Sequence, residues 1–263
     1  MNILKRHGFF AAALAVTTLS AAPAWAGSVA ALVDGKSLAI FDAATRKVTK
    51  TVNITGATGL VGIDVRPADG LLYGLTADGT IVTIDTATGK TTEKTKLKTM
   101  VERGAIVTVD FNPVADRLRV IGSNGQNLRA NVDDGSVTTD GALKYADADM
   151  SKGLAALVTA GAYANSYKGT KETTLYDIDG NLRTLVKQAP PNDGVLGSIG
   201  KLGVESYGPV AFDIESDGAS GNKGWLVANG TLYSVDLATG KATSAGKLAI
   251  KGNVTDIAIL PGM

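Results

Sequence analysis

Gly62-Ile63-Asp64-Val65-Arg66-Pro67-Ala68-Asp69-Gly70-Leu71-Leu72-Tyr73-Gly74-Leu75 opens a unit that continues as Thr76-Ala77-Asp78-Gly79-Thr80-Ile81-Val82-Thr83-Ile84-Asp85-Thr86-Ala87-Thr88-Gly89. Ile63 to Arg66 alternates as a strand and is closed by Pro67. Asp69-Gly70 is a turn, because both residue types tolerate positive φ. Leu71 to Leu75 returns as a second strand, and Asp78-Gly79 turns again. Ile81 to Asp85 alternates, with Val82 and Ile84 on one face and Thr83 and Asp85 on the other. After Thr88-Gly89 the polar run Lys90 to Leu97 reads as an outer strand. The whole is a four-stranded antiparallel meander.

The same plan recurs. Val109-Asp110-Phe111-Asn112-Pro113 matches Ile63 to Pro67, Arg117 to Ile121 matches Leu71 to Leu75, and Leu128 to Asn131 matches Val82 to Asp85. A later copy runs through Ala211 to Ile214, Trp225 to Ala228, Leu232 to Asp236 and Lys241 to Leu248, with its first turn enlarged by Ser216 to Lys223. Between them lies a degenerate copy, Val158 to Asn165, Thr174 to Asp179, Leu182 to Lys187 and Val195 to Leu202. Met150 to Val158 is read as one short turn of helix in a loop. The first copy is split: Val29 to Val33, Ser37 to Asp42 and Val48 to Ile54 lack an opening strand, which Val254 to Pro261 supplies from the other end of the chain. The aspartates at 64, 110, 213 and 256 give a period of about 46–52 residues. These features predict an all-β chain, a single five-bladed β-propeller of four-stranded antiparallel blades over residues 27–263, its ring closed by the C-terminal strand completing the first blade.

Residues 1–26 read as a cleaved signal peptide. Lys5, Arg6 and His7 precede an uncharged apolar stretch from Phe9 to Ala22, and Ala24-Trp25-Ala26 is a small-x-small cleavage site before Gly27. The apolar stretch is short for a membrane span. The expected location is periplasmic or secreted, with no membrane span in the mature chain.

Cleavage removes the only histidine, and the chain has no cysteine. Ser-His-Asp and Cys-His catalysis, zinc sites of the usual nitrogen and sulfur type, and His- or Cys-ligated haem are thereby excluded. Losing Lys5 and Arg6 leaves 24 basic against 25 acidic residues, with no cationic stripe, so nucleic acid is not an expected partner. Glu93, Glu102, Glu172, Glu205 and Glu215 mark no acid/base pair of the kind a glycosidase needs.

Two groups of residues could carry chemistry. Asp64, Asp110, Asp213 and Asp256 occupy one position of the first strand, which lines the channel of a propeller. They could hold Ca²⁺, or accept backbone N–H groups of the neighbouring blade; the second role is favoured. In the third repeat Asn112, Arg117, Arg119, Asn127 and Arg129 form a polar group suited to a small anionic ligand, with blade-stapling ion pairs to Asp110, Asp116 and Asp133 as the other reading. A further series, Asp42, Asp85, Asn131, Asp179 and Asp236, precedes tight turns and is read as turn chemistry.

The stretches 62–75 and 110–120, Gly125-Gln126-Asn127-Leu128-Arg129, Thr174 to Asp179 and Pro190-Pro191-Asn192-Asp193-Gly194 resemble the exported bacterial repeat family known as domain of unknown function 4394. The resemblance covers nearly all of residues 27–263. It implies export and a propeller-like fold, and brings no activity or catalytic residue. The first functional reading is a non-enzymatic binding or scaffold protein, its partner a small anionic ligand or an envelope protein. The alternatives are a Ca-dependent, lactonase-like hydrolase built on the channel aspartates and a purely structural envelope protein.

Overall fold

The computed structural model describes residues 27–205, 210–219 and 221–261; the signal-peptide reading of residues 1–26 lies outside them. Among the described residues twenty-one strands form five sheets. The second blade is the plainest, with β4 (Leu60–Val65), β5 (Leu72–Thr76), β6 (Thr80–Ile84) and β7 (Thr91–Lys96) in sequential antiparallel order. The third is β8 (Val107–Asn112), β9 (Arg117–Gly122), β10 (Asn127–Ala130) and β11 (Val137–Thr139). Blade four is β13 (Val158–Tyr163), β14 (Leu175–Asp179), β15 (Thr184–Gln188) and β16 (Val195–Lys201), and blade five is β17 (Val210–Ser216), β18 (Asn222–Ala228), β19 (Thr231–Val235) and β20 (Ala242–Lys247). Blade one joins β21 (Val254–Ile259) to β1 (Ser28–Val33), β2 (Ser37–Asp42) and β3 (Val48–Asn53). The five-bladed ring is thus closed as the repeats require.

Two details differ from the sequence reading. No helix forms over Met150–Val158; the segment makes hydrogen-bonded turns, Lys152 N–H to Asp149 C=O and Leu154 N–H to Ser151 C=O. With Gly153 at φ +81° the run cannot continue as a helix. A short strand β12 (Lys144–Tyr145) also adds in parallel to the outer edge of blade four.

Burial follows strand position. β2, β5 and β9 are almost wholly buried, whereas β3 and β7 expose most of their residues, which is why the fourth strands read as polar. The apolar residues gather into five clusters, one at each seam between blades, such as Tyr73 of blade two on Phe111 of blade three, edge to face at 5.2 Å. Truncating one such side chain to alanine costs about 2–5 kcal/mol.

The recurring phrase before the fourth strand has a physical cause. Asp85, Asn131 and Asp236 accept backbone N–H groups two residues on, and the glycine at the fourth place, Gly89, Gly135 or Gly240, has φ of 76°, 70° or 76°. A Cβ there would collide with the carbonyl oxygen of Asn53, Lys96 or Gly200 respectively, each belonging to the outer strand of the preceding blade. Glycine is therefore required twice, for the left-handed turn and for the blade contact.

Closure should decide stability. Deleting residues 254–263 would expose the edges of β1, β4 and β17 together. Circular dichroism melting of that variant should show loss of the single cooperative transition; an unchanged sharp melt would contradict the closure argument.

Candidate functional site

The inner strands β21, β4, β8, β13 and β17 touch in turn around the channel. All five run the same way, so their first residues mark one mouth. Leu60, Val61, Val107, Thr159, Val210 and Thr255 meet there, and every blade contributes to a cavity of about 1,020 Å³. Its wall is mainly apolar, with Ile106 at the rim and Ile178, Val204 and Leu226 among its lining. Ile106 is half exposed, at 52%. One polar atom in the wall stands out: Thr159 Oγ1 is buried and has no hydrogen-bond partner.

Two to four residues further along the inner strands lies the aspartate ring. Its geometry follows one rule, in which the carboxylate of one blade accepts a backbone N–H from the inner strand of the next. Asp256 accepts from Ile63 at 2.8 Å, Asp64 from Phe111 at 2.7 Å, Asp110 from Tyr163 at 3.0 Å and Asp213 from Ile259 at 2.6 Å. The second oxygen of Asp64, Asp213 and Asp256 accepts the N–H of the following residue in its own strand. Oxygens of Asp64, Asp110 and Asp213 lie within 4.8 Å of one another, a spread that a Ca²⁺ ion with ligands at about 2.3–2.6 Å could span. Burial raises the pKa of all four, and repulsion from other ring acids adds to it for Asp64, Asp110 and Asp256. Asp64, Asp110 and Asp256 are held well above the usual carboxylate range; Asp213 is pushed to about 6, with the Ile259 and Ile214 N–H groups opposing burial and Glu215 reinforcing it.

Blade four has no acid at this register. Tyr163 donates to Asp110 as Phe111 donates to Asp64, so Ala162 occupies the equivalent place. The seam to blade five is held instead by Asn165 and Asn222, which exchange hydrogen bonds at 2.7 Å, and by Ser166 N–H on Ser216 Oγ.

The third-repeat residues divide. Arg119, 2% exposed, donates to Asp140 at 2.5 Å, Asn127 Oδ1 at 2.9 Å, Asn192 Oδ1 at 2.8 Å and the Tyr163 hydroxyl at 3.2 Å. Arg129 grips the same Asp140 through two nitrogens, at 2.6 and 2.9 Å. Burial pushes the Asp140 carboxyl up, but Arg129 and Arg119 outweigh it and the net shift is downward. Asn112 accepts from Val114 and Ala115 N–H in the β8–β9 turn and also interacts with the Tyr163 hydroxyl, and Arg117 donates to the carbonyls of Ala115 and Asp116. The structure thus brings Arg119, Asn127 and Arg129 together as a clamp joining blade three to the Pro191–Asp193 turn of blade four. The acids named for them from sequence are otherwise engaged: Asp116 and Asp133 both bind Arg66 of blade two, at 2.7–3.0 Å.

Sequence reasoning missed Asp140, Asn192 and Asp177. Asp177 is fully buried beside blade three, with no hydrogen-bond partner on either oxygen. Its Oδ1 fills the space of a side chain at Gly161, where a Cβ would collide with it. Burial drives its pKa to about 8, opposed only by the charge of Arg119. The equivalent position in blade two is Gly74, and that contrast was the available signal.

The chain belongs to the family described as domain of unknown function (DUF4394), whose profile matches residues 37–258. No curated protein matches the sequence. Among solved structures it is similar to a protein of unknown function from Bacteroides thetaiotaomicron, 17% identical, with a TM-score of 0.53 over 89% of this chain and 61% of that one. A protein of unknown function from Bacteroides caccae is 11% identical, with a TM-score of 0.45 over 86% and 75%. An auxiliary nutrient binding protein from Bacteroides ovatus is 17% identical, with a TM-score of 0.44 over 78% and 52%. The first of these likenesses supports the propeller fold. Among the described residues no helix is long and apolar enough to cross a membrane.

Two outcomes follow. An acid with a raised folded pKa binds more protons folded than unfolded, so its stability contribution is fully present near pH 4 and is lost as pH rises to the folded value. The melting temperature should therefore fall between pH 4 and 8, and Asp177→Asn should make that fall shallower and melt about 2–4 °C above wild type at pH 8, as a gain of about 1 kcal/mol implies. A variant less stable at pH 8 would show Asp177 to be paired. If the ring acts as backbone acceptors, Tm in EDTA and in millimolar Ca²⁺ should agree within about 1 °C, whereas saturating binding would raise it by about 5–10 °C and reassign the ring to metal.

Proposed function

We propose that the chain is an exported binding protein whose seat is the channel mouth, and that it takes a small, largely apolar ligand there. The observation carrying this reading is the cavity of about 1,020 Å³, lined mainly by apolar residues and reached by all five blades. Such a volume reaches the upper end of the usual range for small-molecule pockets, about 300–1,000 Å³. The third-repeat face is the weaker candidate, because Arg119 is buried and its donors are already taken by Asp140, Asn127, Asn192 and Tyr163, as those of Arg129 are by Asp140.

Titration with a neutral apolar fluorophore, N-phenyl-1-naphthylamine, tests this. Binding should saturate at one site per chain. Ile106→Glu, at a half-exposed rim position that folding tolerates, should weaken it by about tenfold or more, because a charge enters an apolar wall. Unsaturable binding, or an affinity indifferent to Ile106→Glu, would refute the mouth as the seat.

A further inference from the structure

Glu215 is a buried acid that neither the ring nor the cavity uses. It sits on β17, 7% exposed, at the seam between blade five and blade one. Trp225 Nε1 donates to Oε2 at 2.8 Å, and the backbone nitrogen of Gly27 donates to Oε1 at 3.0 Å. Among the described residues no lysine or arginine forms an ion pair with it. Lys223 is directed instead over the face of the Trp225 ring, 4.1 Å from its centroid. Two neutral N–H donors leave a buried carboxylate short of a countercharge, which is costly.

One group beside Glu215 can supply the missing charge. The sequence pattern Ala24-Trp25-Ala26 places a signal-peptidase cut before Gly27. The fold, independently, places the nitrogen of Gly27 against a buried carboxylate. We infer that the Ala26–Gly27 bond is the maturation site, and that the α-ammonium group it releases docks on Glu215 as the ion pair that locks the first strand onto blade five. The step is a hydrolysis. Water adds hydroxyl to the Ala26 carbonyl, which leaves as a carboxylate on the departing segment; the Gly27 nitrogen keeps its hydrogen, gains one from water and takes up a further proton released by the new acid.

The consequences are local and directional. In the precursor Gly27 offers Glu215 one amide hydrogen bond; in the mature chain it offers a charge-assisted one, which is shorter and about twice as strong. Glycine suits the position, since a Cβ at 27 would sit 3.2 Å from Ile259 Cγ2 and 3.4 Å from Glu215 Oε1. Ile259 is also the donor to Asp213, so the docked terminus buttresses the ring where it closes. The inference is independent of the ligand seat, which lies at the opposite end of the inner strands.

The test uses the full chain exported by a bacterial host. Intact mass should show a mature protein beginning at Gly27. A variant of the full chain carries two alanines inserted between Ala26 and Gly27; cut after Ala26, it keeps the Gly27 nitrogen as an amide, which intact mass verifies. The insertion should lower Tm by about 6 °C or more, the loss expected when a buried charge loses its partner. In the Glu215→Gln background the same insertion should change Tm by less than about 1 °C. If Glu215→Gln does not fold, the pH dependence decides. The paired amine has a pKa above its ordinary value of about 8, so its contribution is fully present below pH 8 and lost as pH rises through the folded value. Wild type should then lose its Tm advantage over the inserted chain at high pH. A mature chain beginning elsewhere, an insertion without effect on Tm, or an effect that survives Glu215→Gln would overturn the inference, as would an advantage that persists unchanged at high pH where the variant fails to fold.

Discussion

Everything in this molecule depends on satisfying the free edges of its inner strands. A propeller points one edge of each innermost strand at a narrow channel, where backbone N–H groups have no strand to pair with and a buried unpaired N–H is costly. Here the solution is a carboxylate. Asp256, Asp64, Asp110 and Asp213 each reach across a seam to a backbone N–H of the next blade, at 2.6–3.0 Å. Each of these bonds fixes the spacing of two blades, which lets the apolar seams pack and sets the width of the mouth above.

That solution concentrates buried acids near one another, and the structure shows how the resulting charge is managed. Burial and repulsion among the acids raise their pKa values, while the backbone N–H groups they accept oppose that rise. Blade four departs from the rule: Ala162 takes the place of the acid, and neutral Asn165 and Asn222 hold the next seam. The same blade carries the unpartnered Asp177, whose carboxyl replaces volume missing at Gly161. Away from the channel the charges are paired conventionally, with Asp140 held by two arginines and Arg66 by Asp116 and Asp133. The fold thus uses arginine–carboxylate pairs at the seams around blade three and backbone dipoles at its centre, while the mouth is mainly apolar.

Much of this was legible from the chain alone, because repeated local chemistry projects directly onto repeated structure. The Asp–Gly phrases marked out the blades, since glycine at positions 89, 135 and 240 is demanded by backbone conformation and by contact with the preceding blade. Tyr73, Arg119 and Trp225 stand at one register of the repeat, each opposite the ring aspartate of its blade. What the repeats could not convey is the identity of partners far apart in sequence. Arg119 meets Asn192, 73 residues on, and Arg66 meets Asp133, 67 residues on. The cavity was likewise hidden, because its wall is assembled from the first residues of five strands and no local pattern marks it.

Amide hydrogen exchange of residues 27–263, resolved by residue with NMR, tests the central claim most directly. If the carboxylates seal the channel edge, the amides of Ile63, Phe111, Tyr163 and Ile259 should exchange only through global unfolding, as slowly as the best protected amides of the middle strands. Rapid exchange at these four positions, with the middle strands protected, would show that the aspartates do not hold the ring and that closure rests on apolar packing alone.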